Sequence, residues 1–227
     1  MAVSRVRGLA ARSPARTGQR ARVRPALVVG AGWAAGAIPF ANLAARRVAG
    51  VDLRDVGNGT VSGTALYDVT GFGPLAVAGL CDVAKGTVGP LLAGRDRPVL
   101  AAIAASAAVA GHNWSPWLRG AGGRGVSVAM GALAVGDVAG TSTLAAGLAA
   151  GRALRQTGLG CFAAQLAVTP VLWRRHGWRG AAIGLAVTVP MLAKRVAGNG
   201  PLPVPRGRAA LHRLLFDCDP GRTGTLS

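Results

Sequence analysis

The feature that most constrains this chain is the alternation of long apolar stretches with short clusters of arginine. Several of the stretches approach the ~20 residues that a helix needs to cross the hydrocarbon core of a bilayer. Backbone N–H and C=O groups find no water in that core, so each stretch must satisfy them internally as a helix. The pattern therefore predicts an all-α fold, a polytopic membrane helix bundle.

Six apolar stretches define the predicted spans. The fourth is interrupted at Gly136-Asp137, so it forms either one span or two short helices joined by a turn. We therefore predict about seven transmembrane helices, with six as the alternative. Dividing the fourth stretch leaves nearly equal numbers of basic residues on the two sides, so the positive-inside rule selects no orientation. The stretches cover residues 26–45, 72–93, 98–118, 126–150, 158–173 and 180–196.

The charge of the chain is strongly unbalanced, with 26 Lys and Arg residues against 8 Asp and Glu and a formal net charge of +18. In a soluble domain this imbalance would suggest nucleic acid. Here the charges lie in an N-terminal tail and at helix ends, where lipid headgroups are the natural counter-ions. We expect membrane lipids as partners and no nucleic acid.

Three segments follow from this distribution. Residues 1–25 hold seven arginines and no acid, which predicts a basic, disordered tail near anionic lipid, with a targeting peptide as the alternative. Residues 26–215 form the predicted membrane domain, and residues 216–227 form a C-terminal tail.

One acid and one base stand inside the second apolar stretch. Asp82 and Lys85 are three residues apart, a spacing that places them on one face of a helix, where they can pair. Polar residues inside a membrane are costly and need a partner or a function. The pair either neutralises itself within the bundle, or its lysine orders a substrate phosphate while the aspartate holds that lysine in position.

Two glycine-rich loops follow apolar stretches. Glycine lets main-chain N–H groups converge on an anion, and arginine binds phosphate bidentately. Residues 120–125, called the glycine loop below, match GxGxxG, but a membrane helix precedes them instead of a strand, which excludes a dinucleotide site. The candidate residues are Arg54, Gly57, Gly59 and Thr64 in the first loop, and His112, Gly122, Gly123, Arg124 and Gly125 in the second.

His112 has two interpretations. A histidine at a helix end is often structural, but it can also act as a general base or contact a phosphate. The sequence leaves both open.

Four segments, in this order, resemble the bacterial acyl-phosphate:glycerol-3-phosphate acyltransferase family, PlsY. They are GAIPF at residues 36–40, VDLRDVGNG at residues 51–59, DVAKG at residues 82–86, and GH at residues 111–112 followed by GGRG at residues 122–125. The clear part of the resemblance covers residues 36–131.

The resemblance implies a seven-helix membrane fold with its motif loops on the cytoplasmic side, in a multi-pass protein of the cell membrane. It implies transfer of an acyl group from acyl phosphate to the 1-hydroxyl of glycerol 3-phosphate, giving lysophosphatidic acid, with no cofactor or metal. The site residues would be His112, Arg54 and Lys85 in catalysis, and Gly57, Gly59, Thr64, Asp82, Gly122, Gly123, Arg124 and Gly125 in substrate binding.

Several positions depart from the family pattern. Ala121 and Arg124 stand where the family has the two lysines of KGGKG. The C-terminal family motif is present only as Arg208, Arg213-Leu214-Leu215 and Asp219, with Ala210 at its asparagine. These departures keep open a diverged paralogue with lost or altered activity. An alternative of a different class is a small multipass transporter or scaffold, with Asp82 and Lys85 as a transport or packing pair.

Overall fold

A computed structural model describes residues 23–57 and 59–219. These residues form nine α-helices and two short 3₁₀ turns, and they contain no β-strand. The helices are α1 Pro25–Ala37, α2 Phe40–Ala49, α3 Gly63–Thr70, α4 Phe72–Ala93, α5 Pro98–Asn113, α6 Val126–Ala134, α7 Val138–Ala153, α8 Thr157–Ala197 and α9 Arg206–Phe216. The all-α prediction is confirmed. Residues 1–22 and 220–227, which carry most of the two predicted tails, lie outside the described residues.

The first predicted span is divided in the structure. It was expected as one helix over residues 26–45, but α1 ends at Ala37 and α2 starts at Phe40. Pro39 accounts for the break, because proline has no N–H to donate and disfavours the helical conformation in the residue before it. The break leaves the Ile38 carbonyl outside the regular helical hydrogen bonds. This carbonyl is a hydrogen-bond acceptor in the candidate site.

Glycines set the distance between the central helices. A side chain at Gly86 on α4 would meet the backbone carbonyl oxygen of Val128 on α6, and one at Gly131 on α6 would meet the carbonyl oxygen of Val83 on α4. Small residues at such crossings let two backbones touch, which increases their dispersion contacts. The close packing of α4 on α6 therefore depends on glycine at both Gly86 and Gly131.

Helix α8 is a hairpin. Gly177 has φ 58° and ψ −141°, which interrupts the helix near its midpoint. The Thr188 hydroxyl donates to the Gln165 carbonyl at 3.2 Å, and Gly184 lies against Thr169, so the chain beyond Gly177 runs back along the first arm. Each arm has about 20 residues and is about 30 Å long, the thickness of the hydrocarbon core. The two arms match the predicted fifth and sixth spans.

The other predicted stretches are also helical. The fourth is two helices, because α6 ends at Ala134 and α7 begins after Asp137, whose side chain accepts a hydrogen bond from the Ala139 N–H at 2.8 Å. The third ends earlier than expected, since α5 stops at Asn113. Three helical stretches are long and apolar enough to cross a membrane, namely Pro25–Ala49, Phe72–Ala93 and Thr157–Ala197. The number of spans stays a prediction.

The glycine contact between α4 and α6 gives the first prediction. Gly86→Ala adds a methyl group against the Val128 carbonyl, and we expect it to lower the free energy of unfolding by about 1–3 kcal/mol, as overpacking does. The matched control is Gly79→Ala on the same helix, where an added Cβ meets nothing within 4 Å. It should leave stability unchanged or raise it, because alanine favours helix. Thermal unfolding in detergent measures both variants, and equal melting temperatures would contradict the packing argument.

Candidate functional site

The centre of the candidate site is the buried ammonium group of Lys85. Its Nζ lies 2.8 Å from Asp82 Oδ1, donates to the Ile38 carbonyl at 2.6 Å and contacts His112 Nδ1 at 3.0 Å. The side chain is only 3% exposed. The predicted pairing of Asp82 with Lys85 is confirmed. An ammonium has three N–H groups, and each has a partner here, so Lys85 holds other groups in place.

The contact with Lys85 fixes the tautomer of His112. An ammonium can only donate, so His112 Nδ1 must accept, and the hydrogen of the neutral ring then sits on Nε2. Nε2 faces the glycine loop, because a side chain at Gly123 would collide with it. His112 thus presents an N–H donor to the loop. This orientation fits a contact with an anionic oxygen better than the role of general base.

The glycine loop lies against the carboxyl end of α5. A Cβ at Gly122 would come within 2.5 Å of the Asn113 carbonyl oxygen, and one at Gly123 within 2.8 Å of the Val61 carbonyl oxygen. Gly125 has φ +74° and directly precedes α6. These positions of the loop therefore require glycine, because backbone atoms of neighbouring segments leave no space for a side chain next to His112.

Arg54 lies in a small cluster of charges on the first loop. It donates to Asp52 from Nε at 3.0 Å and from Nη2 at 2.7 Å, and Arg46 contacts the same carboxylate. The hydrogen bonds from Arg54 hold the pKa of Asp52 well below its ordinary value, so the carboxylate is ionised at neutral pH. The Arg54 side chain is 31% exposed, which leaves part of its guanidinium accessible to a ligand.

The remaining first-loop candidates are more peripheral. Gly57 and Gly59 have φ +56° and +71°, in the left-handed region that glycine adopts without strain. Thr64 is exposed on the first turn of α3. The structure therefore brings Gly59 to the glycine loop through Asn199, described below, and leaves Thr64 on the surface.

Arg124 is largely enclosed by protein groups. Its Nε pairs with Asp217 Oδ1 at 2.6 Å, Nη1 donates to the Lys194 carbonyl at 3.1 Å, and Nη2 donates to the Thr60 hydroxyl at 3.3 Å. The side chain is 10% exposed. Arg124 thus ties the glycine loop to the first loop, to the end of α8 and to the residue that follows α9.

Two residues of the site were missed from the sequence. Asn199 donates through Nδ2 to the carbonyls of Gly59 at 2.9 Å and Gly122 at 3.0 Å, so it clamps the two loops together. Lys194, near the end of α8, donates to the Gly120 carbonyl at 3.2 Å. The family pattern placed the C-terminal asparagine at Ala210, but the asparagine that reaches the loops stands eleven residues earlier.

The C-terminal motif residues stabilise helix ends. Arg213 is buried, donates to the Ala197 and Pro201 carbonyls at 2.9 Å each, and pairs with Asp219 at 2.6 Å. A cation at the carboxyl end of α8 is favourable for the helix dipole. Arg208 is exposed on α9. No group of three or more His, Cys, Asp or Glu side chains in residues 23–57 and 59–219 is placed to hold a metal ion.

The ion pair beneath His112 gives the second prediction. Lys85→Met leaves Asp82 buried without its counter-ion, and we expect a loss of about 3–5 kcal/mol in the free energy of unfolding. The double variant Asp82→Leu/Lys85→Met removes both charges and should recover much of that loss. Arg175→Gln is the control, since Arg175 pairs with Asp137 at 2.6 Å but is 55% exposed, and such pairs contribute little. The pairing would be contradicted if the double variant lost as much free energy of unfolding as Asp82→Leu and Lys85→Met lose when their separate losses are added.

Comparison with known proteins gives the family. Residues 26–198 match the family model described as glycerol-3-phosphate acyltransferase. The glycerol-3-phosphate acyltransferase of Shouchella clausii is 36% identical over 107 residues, which are 45% of this chain and 52% of that protein. That of Methylorubrum populi is 36% identical over 155 residues, covering 66% of this chain and 75% of that protein. The chain spans about half the length of most of these curated relatives.

The fold is similar to that of crystal structures of PlsY, described as an integral membrane glycerol 3-phosphate acyltransferase. The glycerol 3-phosphate form matches with a TM-score of 0.66 and 21% identity, over 86% of this chain and 94% of that one. The lysophosphatidic acid form matches with a TM-score of 0.64 and 18% identity, over 75% and 87%. The predicted membrane helix bundle is thus confirmed, and so is the resemblance carried by the four motifs. The chain belongs to the glycerol-3-phosphate acyltransferase family.

Proposed function

We propose that this protein transfers an acyl group from acyl phosphate to the 1-hydroxyl of glycerol 3-phosphate and so produces lysophosphatidic acid. Membership of the family supports this activity, and the names of the relatives and of the glycerol 3-phosphate form of PlsY agree with it. The observation that carries the proposal is the orientation of His112, whose Nδ1 contacts Lys85 at 3.0 Å and whose Nε2 faces the glycine loop.

The reaction balances without an added reagent. A bond forms between the glycerol oxygen and the acyl carbon, the bond from that carbon to the phosphate oxygen breaks, and the hydroxyl proton ends on the released phosphate. Negative charge accumulates on the acyl oxygen as the carbon becomes tetrahedral. Donors fixed in advance at that oxygen lower the barrier, because they need no reorganisation during the reaction.

The residues of the site divide these tasks. The Nε2–H of His112 donates to an anionic oxygen at the glycine loop. Lys85 and Asp82 hold the imidazole in that orientation and so act as positioning residues. Arg54, partly exposed on the first loop, contacts a phosphate. Holding two anionic substrates together at one surface contributes further, since it converts an encounter of two molecules into a reaction within one complex.

The setting of the reaction is the plasma membrane. The apolar bundle holds the protein in a bilayer, where an acyl phosphate with its fatty tail is concentrated, and basic side chains at the helix ends attract the water-soluble phosphorylated acceptor. The proposed reaction takes no cofactor or metal.

The third prediction tests this function in lipid. Purified protein in vesicles, given acyl phosphate and labelled glycerol 3-phosphate, should form lysophosphatidic acid. Gly123→Ala places a methyl group against His112 Nε2 and the Val61 carbonyl, and we expect the rate to fall at least 100-fold, as for loss of one oxyanion donor. Gly73→Ala is the control, because an added Cβ there meets nothing within 4 Å. It should retain the activity of the unchanged protein.

Other outcomes separate the alternatives. Binding of acyl phosphate without product, in a well-folded preparation, would favour a diverged paralogue that has lost catalysis. No binding of either substrate would contradict the proposed function. Equal rates for Gly123→Ala and Gly73→Ala would show that the space at His112 Nε2 is not the reacting site.

A further inference from the structure

The two lysines of this chain have different surroundings. Lys85 and Lys194 are the only lysines among the 26 basic residues of the sequence. Lys85 has a carboxylate, a carbonyl and an imidazole around its ammonium. Lys194 is 1% exposed, and its Nζ has the Gly120 carbonyl at 3.2 Å and the face of Trp114 at 5.3 Å. In the part of the chain that the structure describes, no carboxylate lies within 4.0 Å of it.

A buried ammonium without a counter-ion is unfavourable in the free protein. The face of a tryptophan ring and one carbonyl offset part of the lost hydration. Among the described residues, Lys194 Nζ has one hydrogen-bond acceptor for its three N–H groups. Arg124 donates to the Lys194 carbonyl at 3.1 Å, but its own charge is paired with Asp217 at 2.6 Å. An anion beside Lys194 would supply the acceptors that its ammonium lacks.

The space next to Lys194 suits such an anion. An open pocket of about 320 Å³ lies between the glycine loop and the end of α8. Its lining includes Lys194 and Arg119 and contains no acidic residue. Asn199 also lines it, and the buried Oδ1 of that residue has no hydrogen-bond donor among the described residues. An oxygen of a protonated ligand or a bound water could use that acceptor.

Position 121 of the glycine loop gives a reason for an ammonium group contributed by α8. Ala121 also lines this pocket, and it stands where the resembling family has a lysine. Lysine supplies a compact point charge, whereas arginine presents a planar fork, so the two are not interchangeable. Almost all other basic residues of this chain are arginine, yet the residue beside the glycine loop, Lys194, is a lysine.

We propose that Lys194, together with Arg119, binds a substrate phosphate group in this pocket and supplies the ammonium that the glycine loop lacks at Ala121. This inference rests on the proposed function, because the phosphate belongs either to acyl phosphate or to glycerol 3-phosphate. Lys194 is then a binding residue contributed by α8, separate from the Lys85 network that orients His112.

The fourth prediction uses Lys194→Met, which removes the charge and keeps most of the side-chain volume. We expect the KM for one of the two substrates to rise about 10- to 100-fold, as for loss of a hydrogen bond to a charged group, with kcat changed much less. The substrate whose KM rises identifies the source of the phosphate. The double variant Lys194→Met/Ala121→Lys should bring that KM back towards its original value. Arg174→Met, an exposed position on α8, is the control.

Stability separates binding from a structural role. Because Lys194 has no counter-ion among residues 23–57 and 59–219, Lys194→Met should leave the melting temperature of the free protein unchanged or raise it. A lower melting temperature together with a failed rescue by Ala121→Lys would overturn the proposal. Unchanged KM values for both substrates would overturn it as well.

A binding measurement keeps this test independent of turnover. Calorimetric titration of the protein with inorganic phosphate should show binding. We expect Lys194→Met to raise the Kd for phosphate by about the same 10- to 100-fold. If the unchanged protein forms no lysophosphatidic acid, the proposed function fails while this titration still decides the role of Lys194. Equal phosphate binding by both proteins would overturn the phosphate site.

Discussion

The buried ammonium of Lys85 is the interaction on which the rest of the site depends. It joins α4 to the break between α1 and α2 through the Ile38 carbonyl, and to α5 through His112. Burying this charge is tolerable because Asp82 neutralises it and every N–H has a partner. One side chain therefore fixes the relative position of three helices and the tautomer of the imidazole above it.

Close helix packing makes this geometry possible. Gly86 follows Lys85 directly and lets α4 touch α6, while Gly111 precedes His112 and would collide with the Trp33 carbonyl on α1 if it carried a side chain. Lys85 and His112, for which we propose roles in the reaction, thus stand beside glycines that set the helix separation. A glycine loop then covers the same end of the bundle, and Asn199 holds that loop to the first one.

The two lysines have different surroundings, and we propose a different task for each. Lys85 is saturated by protein partners and positions His112, whereas Lys194 faces a pocket with no carboxylate among its lining residues. Arg124, expected to contact substrate, is engaged by Asp217 and two other protein groups. Arg124 thus mainly holds the loops together, whereas Arg54 is partly exposed and the pocket beside the glycine loop is lined by Arg119 and the buried Lys194.

The sequence by itself determined the fold class, the approximate positions of the long apolar helices and the pairing of Asp82 with Lys85. These follow from apolar run length and from local spacing along a helix, which do not depend on distant contacts. Glycines at the motif loops were also recognisable, because their spacing is local. The turn at Gly177 was anticipated only as a gap between two spans, and the break at Ile38-Pro39 was read as part of one continuous helix.

Only the tertiary structure decided which polar groups meet. Asn199 and Lys194 carry no local motif, and their partners lie 74 to 140 residues away in sequence, so no spacing rule could place them at the glycine loop. The rarity of lysine in an arginine-rich chain is the one sequence signal that would have pointed to Lys194. Whether a buried cation is satisfied or still needs an anion depends on groups brought to it by different helices, and that is a property of the packed bundle.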